Sequence, residues 1–255
     1  MVFDWIDGAK VLVRHGDTGI TGNVYCGLHE FSDMAFLLHL LKPEDNFLDV
    51  GANVGSYTIL ASSVIGAQTC SVEPVPSTFS RLEFNVKLND LEGQVTCLNI
   101  GLGDQAGELK VSSDLDTMNH IVADNEDAES TVTVPISTLD EIIHQTPLLI
   151  KIDVEGYETP VLHGGQGVLT NEKLCAVIME LNGSGDRYGF DEKEILTLMS
   201  GYGFETFSYD PFQRKLHNLS GKNLSAGNTL FIRNVEFVRD RLLSAKKIDV
   251  NNVKI

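Results

Sequence analysis

The chain has 255 residues, 42% of them hydrophobic, which is ordinary for a folded globular domain with a sizeable core. Its 36 acidic and 19 basic residues give a formal net charge of −17, which disfavours nucleic acid and anionic lipid surfaces as partners, although solubility alone explains the charge equally well. No apolar run approaches the roughly 18 residues of a membrane span, and the first ten residues lack the pattern of a secretory signal.

The four cysteines indicate a reducing environment. They are Cys26, Cys70, Cys97 and Cys175, and no C-x-x-C pair occurs. Three of them fall in or beside apolar runs, where a free thiol packs as a small hydrophobic group. We therefore expect reduced thiols rather than a zinc site or disulfides, and a cytoplasmic location.

Residues 1–45 precede the first core strand of the predicted domain. The run 9–15 alternates weakly and is consistent with a short strand, and the glycine-containing stretch 18–27 is typical of a loop. A helix is predicted over 34–41, with Ser32 and Asp33 as candidate caps and Pro43 after its end.

Residues 46–65 predict a strand, a tight glycine turn and a helix. The apolar run at 47–48 leads to Asp49, and Gly51 and Gly55 bracket the turn that contains Asn53. Glycine lets the backbone curl tightly and lets a ligand approach the main chain. The new helix also directs free N–H groups towards the crevice. Such a turn is typical of nucleotide-binding α/β proteins.

Glu73 supports the nucleotide interpretation. It follows a short strand at 69–72 and lies 18 residues after Gly55, close to the spacing at which an acid binds the ribose hydroxyls. The turn itself reads G-x-x-x-G rather than the G-x-G-x-x-G of dinucleotide-binding proteins. The spacing therefore weighs against NAD as the ligand.

The next stretch contains a helix, a strand and an insertion. Apolar residues at helical spacing predict a helix from about residue 76 to 88, and a third strand is predicted at 95–100. The runs 107–111 and 131–136 predict a hairpin, so 107–136 interrupts the βα repeat. The segment between the hairpin strands is acidic and contains His120, and we interpret it either as a solvated loop or as a lid over the substrate.

Two more buried strands are predicted at 148–152 and 176–181, each followed or ended by acids. The last strands are predicted at 205–209 and 228–233, and their short connection favours an antiparallel pair. An amphipathic helix follows, which would close the domain or make a homodimer contact, and 248–255 is expected to be a tail.

Three motifs together resemble the FkbM family of methyltransferases. They are DVGANVG at 49–55, KIDVEGYE at 151–158 and VIMELN at 177–182, in the expected order, and the likeness covers roughly 40–235. The resemblance implies an α/β, Rossmann-like class I methyltransferase fold: a mostly parallel seven-stranded sheet with an antiparallel last strand and helices on both faces. It divides the chain into an N-terminal extension over the substrate mouth (1–45), a methyltransferase domain (46–235), and a C-terminal helix and tail (236–255).

The resemblance also implies S-adenosyl-L-methionine (SAM) as the cofactor and a hydroxyl of a sugar, glycan or secondary metabolite as the acceptor. The methionine end of SAM would lie along the glycine turn, the ribose on the acid after the second strand, and the adenine near the third strand. The expected cofactor-binding residues are Asp49, Gly51, Asn53, Gly55, Glu73, Pro74, Asn99 and Gly101.

The acids after strands four and five are candidates for activating the acceptor, because an alcohol needs a base or a metal to become nucleophilic. The candidate catalytic residues are Asp153, Glu155, Glu180 and His120. A Mg²⁺ ion on Asp153, Glu180 and Asn182 is one alternative, although Glu180 and Asn182 stand one residue further apart than the Asp-Asn pair of metal-dependent relatives. A metal-free base is the other.

Two further functions stay open. One is an NAD(P)-dependent oxidoreductase or epimerase. The short-chain form of such an enzyme needs a tyrosine with a lysine four residues later, and none of the six tyrosines has a lysine at that position. The other is a SAM-binding scaffold without catalysis. The expected partner is a small molecule or glycan, with no nucleic acid and no membrane span.

Overall fold

The computed structural model describes residues 1–14, 17, 19–112, 119–122 and 130–255. Within these ranges the strands are β1 (Val2–Asp4), β2 (Lys10–Leu12), β3 (Asn46–Val50), β4 (Gln68–Val72), β5 (Val95–Leu98), β6 (Gly101–Leu102), β7 (Gly107–Ser112), β8 (Thr131–Ser137), β9 (Leu149–Ile152), β10 (Ala176–Glu180), β11 (Glu205–Asp210), β12 (Lys215–Asn218), β13 (Asn228–Ile232), β14 (Asp249–Val250) and β15 (Val253–Lys254).

The α-helices in the same ranges are α1 (Gly19–Cys26), α2 (Phe31–Leu40), α3 (Ser56–Ile59), α4 (Pro76–Leu88), α5 (Leu139–Ile142), α6 (Glu158–His163), α7 (Gln166–Thr170), α8 (Glu192–Gly201) and α9 (Val235–Ser244). Helix α3 continues directly into a π-helical segment, Leu60–Ile65. Among the described helices, none combines the length and apolar character needed to cross a bilayer.

The central sheet has the order β12-β11-β13-β10-β9-β3-β4-β5. Strands β10, β9, β3, β4 and β5 run parallel, whereas β13 is antiparallel to both β10 and β11. The predicted Rossmann-like α/β fold is confirmed, including the antiparallel pair at the end of the chain. Strand β12 adds an eighth strand at the edge, which the sequence analysis did not anticipate. The chain leaves β3 in one direction and returns as β9 on its other side, and such switch points are where α/β sheets bind ligands.

Alternating side chains on the strands enter two different cores. Phe47 of β3 and Leu149 of β9 are paired in register and pack against α2 and α9. Their neighbours Leu48 and Ile150 point to the opposite face and pack against α6, α7 and α8. This period of two assigns each residue near the strand ends to one face of the sheet.

The predicted hairpin of the insertion is present. Strands β7 and β8 pair antiparallel over six residue pairs, from Gly107 opposite Ile136 to Ser112 opposite Thr131. Strand β6 joins β8 on the other side. Ile121, from the segment between the hairpin strands, makes an isolated bridge to Val111. The hairpin of the insertion therefore forms a small three-stranded sheet together with β6.

The loop predicted over 18–27 is wrong for 19–26, which form helix α1. Tertiary contacts outweigh the helix-breaking tendency of its glycines: Ile20 is buried, and Asn23 donates to the Ser56 hydroxyl at 3.0 Å. Residues 248–255 are not a free tail either. They form the β14–β15 hairpin, and Ile255 is buried in the same core as α2 and α9.

Candidate active site

A cavity of about 450 Å³ opens at the carboxyl ends of β3, β4, β9 and β10. This volume lies within the range of small-ligand pockets. The turn after β3, the loop after β4 and the turn after β9 line it, together with residues of α1, α2 and the insertion. The cavity thus occupies the switch point of the sheet.

The glycine turn after β3 has an unusual backbone. Gly51, Asn53 and Gly55 all have positive φ values, of 73°, 50° and 94°. A Cβ atom on Gly51 would lie 1.7 Å from the carbonyl oxygen of Asp153, so only glycine fits there. The N–H of Gly51 also donates to the carbonyl of Val72 at 3.0 Å. The turn therefore ties the end of β3 to the turn after β9 and to the end of β4.

Glu73 organises the other side of this turn. It is 6% exposed, and its two carboxylate oxygens accept from the N–H groups of Asn53 at 3.0 Å and Val75 at 2.9 Å. Burial raises the pKa of Glu73 to about 7, against the lowering effect of these two bonds. The amide of Asn99 donates to the carbonyls of Glu73 and Pro74 at 2.8 and 2.9 Å. Asn99 thus fixes the loop that carries the acid.

Asp49 lines the cavity with a carboxylate of which the described residues hydrogen-bond only one oxygen. The residue is 1% exposed and lines the cavity wall. Its Oδ2 accepts from the Thr58 hydroxyl at 2.7 Å, whereas its Oδ1 is buried with no hydrogen-bond partner among the described residues. Burial raises the pKa of Asp49. An unpartnered buried acceptor calls for a donor, such as the amine of a ligand.

The period of the strands brings a row of polar groups to one face of the sheet. Asp49 on β3 pairs in register with Lys151 on β9, and Glu180 on β10 pairs with Asn228 on β13. Asp153 follows Lys151 by two residues and therefore points to the same face. The Lys151 ammonium donates to the Asp153 carboxylate at 2.7 Å. The row lies on the face that packs against α2.

Three carboxylates from this region meet at the cavity. One oxygen each of Asp153, Glu155 and Glu180 lies within 4.8 Å of the others. Burial and the Asp153 charge raise the pKa of Glu155 to about 7, although Arg187 and His120 act in the opposite direction. Burial and the charges of Asp153 and Glu155 likewise raise the pKa of Glu180. Groups that can accept a proton near neutral pH are thereby brought together in the cavity wall.

Helix α2 supplies more acid to the same end. Glu30, at its start, lines the cavity and accepts from the Asn228 amide at 2.5 Å. The same amide donates to Asp33 at 3.3 Å, and burial with the Glu30 charge raises the pKa of Asp33 to about 7. The buried ring of Tyr57 has its centroid 5.0 Å from the Lys151 ammonium. Lys151 is thus surrounded by acids and an aromatic face.

His120 reaches the cavity from the insertion. It is 6% exposed, and its backbone N–H donates to the Ser112 hydroxyl at 3.0 Å. The Tyr188 hydroxyl donates to the carbonyl of Ile121 at 2.6 Å. This bond connects the segment that carries His120 to the loop after β10. The rest of the proposed lid, 113–118 and 123–129, lies outside the described residues.

With this geometry in view, comparison with known proteins identifies the family. The methyltransferase FkbM domain matches residues 49–206, more than half of the chain. The chain belongs to the FkbM methyltransferase family. The matched segment of this FkbM-family chain carries the glycine turn, Glu73 and the three-carboxylate group.

Two curated relatives share part of this likeness. The chain is 29% identical over 170 residues to the hexuronic acid methyltransferase AglP of Haloferax volcanii, covering 64% of this chain and 65% of that protein. It is 28% identical over 149 residues to methyltransferase 1 of Beauveria bassiana, covering 48% of this chain and 59% of that protein. The chain therefore spans less than two thirds of the length of each of these relatives.

A solved structure supports the fold. The FkbM methyltransferase of Methylobacillus flagellatus superposes with a TM-score of 0.52 at 15% identity, covering 76% of this chain and 44% of that one. At this identity the likeness concerns the fold alone. It agrees with the strand order and the mostly parallel central sheet.

Six of the eight cofactor-binding residues predicted for this FkbM-family chain line the cavity: Asp49, Gly51, Asn53, Glu73, Pro74 and Gly101. The other two support the wall from behind. Gly55 begins α3, and its missing Cβ makes room for Leu82. Asn99 holds the Glu73 loop through its amide.

The four catalytic candidates, Asp153, Glu155, Glu180 and His120, all line the cavity. Asn182, the predicted third metal ligand, does not. It is exposed, and its Oδ1 accepts from the backbone N–H of Ser184 at 2.9 Å and from the Ser184 hydroxyl. The structure therefore groups Asp153 and Glu180 with Glu155 rather than with Asn182.

Sequence reasoning anticipated Glu30 in the N-terminal extension over the substrate mouth, but it missed Lys151, Asp33 and Tyr57 as residues of the site. Lys151 is the instructive case, because a charged residue inside the apolar run 148–152 is itself a signal. A lysine in a strand buried on both faces requires a buried counter-charge. That requirement points to the acids after the same strand.

Proposed function

We propose that this FkbM-family chain is a SAM-dependent methyltransferase that transfers a methyl group to a hydroxyl of a sugar-like acceptor. One observation carries the proposal. A single cavity is lined by the glycine turn and Glu73, which we take as its cofactor end, and by the group of Asp153, Glu155 and Glu180, which we take as its acceptor end. The first end suits a nucleoside with an amino-acid tail, and the second suits an acceptor that must lose a proton.

The residues at the first end fit SAM. The carboxylate oxygens of Glu73 each have one backbone donor, which leaves further lone pairs for two ribose hydroxyls. The unpartnered Oδ1 of Asp49 suits the ammonium of the methionine part. The buried acids also favour a cationic ligand. SAM carries an activated methyl group on a sulfonium, so the protein has to orient the acceptor, exclude water and remove a proton.

Glu155 and Glu180 are the proposed bases. In the transfer, the bond from sulfur to the methyl carbon breaks, the acceptor oxygen bonds to that carbon, and the hydroxyl proton passes to a carboxylate oxygen. A raised pKa suits a carboxylate for accepting this proton near neutral pH. His120 lines the same cavity and is the alternative base.

The acceptor class rests on a relative and on charge. The relative from Haloferax volcanii is named a hexuronic acid methyltransferase, and a hexuronic acid offers both hydroxyls and a carboxylate. Because the acceptor end of the cavity carries several acids and one lysine, we expect the neutral hydroxyl to be chosen. Mild alkali distinguishes the products, since it hydrolyses a methyl ester and leaves a methyl ether intact.

Calorimetric titration with SAM, S-adenosylhomocysteine, NAD⁺ and NADP⁺ tests the cofactor. Saturable binding of the two adenosyl compounds alone supports the proposal, whereas binding of NAD⁺ and not SAM contradicts it. Incubation with radiolabelled methyl-SAM and a panel of uronic acids and neutral glycosides then tests transfer. Cofactor binding without transfer to any acceptor favours the non-catalytic scaffold.

A further inference from the structure

Lys151 is a buried charge whose position needs an explanation. It lies in β9, where all four residues are buried, and it is itself 4% exposed. Moving an ammonium from water into such a place is unfavourable unless the charge is paired. The continuous apolar run around it would accept a leucine or methionine there. A charge at this point indicates a role at the cavity that the residue lines.

The surroundings of Lys151 are strongly acidic. Its ammonium donates to Asp153 at 2.7 Å, and Asp49 is its register neighbour on β3. Burial alone would lower the pKa of Lys151, but the charges of Asp153, Glu30 and Asp49 raise it above its usual value. The lysine is therefore a permanent positive charge among these acids.

The carboxylate group beside Lys151 has the donor chemistry of a divalent-cation site. Three carboxylate oxygens within 4.8 Å of one another are the ligands that Mg²⁺ prefers. The arrangement nevertheless does not fit the metal, because Asp153 already accepts from the ammonium and Asn182 does not line the cavity.

We propose that Lys151 is the resident cation of the acceptor site, which takes the place of a divalent metal there and which positions Asp153 towards the acceptor. It is a positioning residue, since it acts through the carboxylate it holds. The inference rests on the proposed function in placing the acceptor hydroxyl among these carboxylates. It implies that transfer needs no divalent cation.

A metal-binding experiment tests this without any assay of transfer. Mn²⁺ is titrated, with detection by electron paramagnetic resonance, into wild type, Lys151→Met, Asp153→Asn and the double variant. We expect wild type and Asp153→Asn to bind Mn²⁺ alike, and Lys151→Met to gain a site at least tenfold tighter that Asp153→Asn removes. An Asp153-dependent Mn²⁺ site in wild type would overturn the proposal, as would a Lys151→Met variant that binds like wild type.

Failure of the Lys151 proposal and failure of the proposed methyltransferase function give different results. If Lys151→Met does not fold, the comparison of wild type with Asp153→Asn still decides whether the native cluster holds a metal. Where transfer is measurable, EDTA should leave the wild-type rate within twofold. Lys151→Met should lower kcat at least tenfold and change the Kd for S-adenosylhomocysteine less than threefold. A rate lost to EDTA and restored by Mg²⁺ contradicts the inference while leaving the proposed methyltransferase function intact.

Discussion

Glu73 is the residue on which the cofactor end depends most directly. Its carboxylate holds two backbone N–H groups and has lone pairs left for ribose. Charge-assisted hydrogen bonds contribute about 1.5–3 kcal/mol each, so we expect Glu73→Gln to weaken S-adenosylhomocysteine binding by roughly tenfold or more. Isothermal calorimetry measures the change. Glu83→Gln, an exposed acid on α4, is the matched control, and equal affinity in both variants would remove Glu73 from the site.

Glu155 and Glu180 make separable predictions about the base. A positioned base contributes about 10²–10⁴-fold to a rate, so the true base replaced by glutamine should lose that factor in kcat. The other glutamine variant should lose less, because it removes only a neighbouring charge. Single-turnover rates of both variants, with Glu172→Gln as an exposed control, distinguish them. If neither falls by tenfold, His120 becomes the base to test.

At this scale the sequence predicted the cavity-lining acids but not their counter-charge. Spacing after a strand is enough to place Asp153 and Glu155 at the edge of the sheet, because parallel strands end together. The pairing of Asn228 with Glu30 and Asp33 joins residues almost two hundred positions apart. No local pattern encodes such a contact, since it exists only once β13 has entered the sheet.

The glycine turn after β3 is the element that sets the shape of the cofactor end. Gly51→Ala should be strongly destabilising, because it combines a positive φ with a contact of 1.7 Å to the Asp153 carbonyl. Gly66→Ala is the matched control: its φ is 89°, but its Cβ would find only ordinary contacts with Pro43. The control should cost about 1–2 kcal/mol, the penalty of the left-handed conformation alone.

The two glycine variants are compared by thermal unfolding and by their affinity for S-adenosylhomocysteine. We expect Gly51→Ala to unfold at a clearly lower temperature than Gly66→Ala and to lose ligand affinity, which the control should keep. Equal unfolding temperatures for the two variants would show that the turn tolerates a side chain. The close approach to Asp153 would then not be a constraint on the site.

Among the elements, the strongly patterned ones were predictable. The hairpin of β7 and β8 and the antiparallel pair of β11 and β13 follow from alternation and from connection length. Helix α1 was not predictable, because its glycines favour a loop and only its burial against the Ser56 region makes it helical. Strand β12 is short and mostly exposed, so its sequence has no apolar pattern from which a strand could be predicted.

The whole molecule should lose stability as pH rises through neutrality. Burial raises the pKa of each of Asp33, Glu73 and Glu158 to about 7. The folded state therefore holds protons that the unfolded state releases above its ordinary pKa of about 4. By linkage, their contribution is fully present below that value and is lost as pH rises to about 7.

Calorimetric melting between pH 5 and 8 tests this. A loss of about 1 kcal/mol lowers the Tm of a chain of this size by about 2–4 °C. Glu158→Gln should flatten the dependence of Tm on pH, because glutamine does not titrate. The fold should be kept, since the amide oxygen can still accept from the N–H groups of Val154 and Gly156. A Tm that rises over this interval would contradict the proposed protonation of the buried acids.

A homodimer, a cytoplasmic location and domain boundaries at residues 45 and 235 remain predictions. The amphipathic helix near the C-terminus motivates the first, and the free cysteine thiols motivate the second. Gel filtration with light scattering addresses the oligomeric state directly.

The position of β13 in the sheet bears on where a stable fragment of this protein can end. The segment alike to other family members ends at residue 206, yet β13 lies between β10 and β11 in the sheet, and all five of its residues are buried. A fragment cut at that boundary would present β10 with an open, sticky edge. The segment with recognisable family similarity is therefore shorter than the segment needed for a stable fold. The end of a shortened fragment should be chosen from the strand order of the sheet.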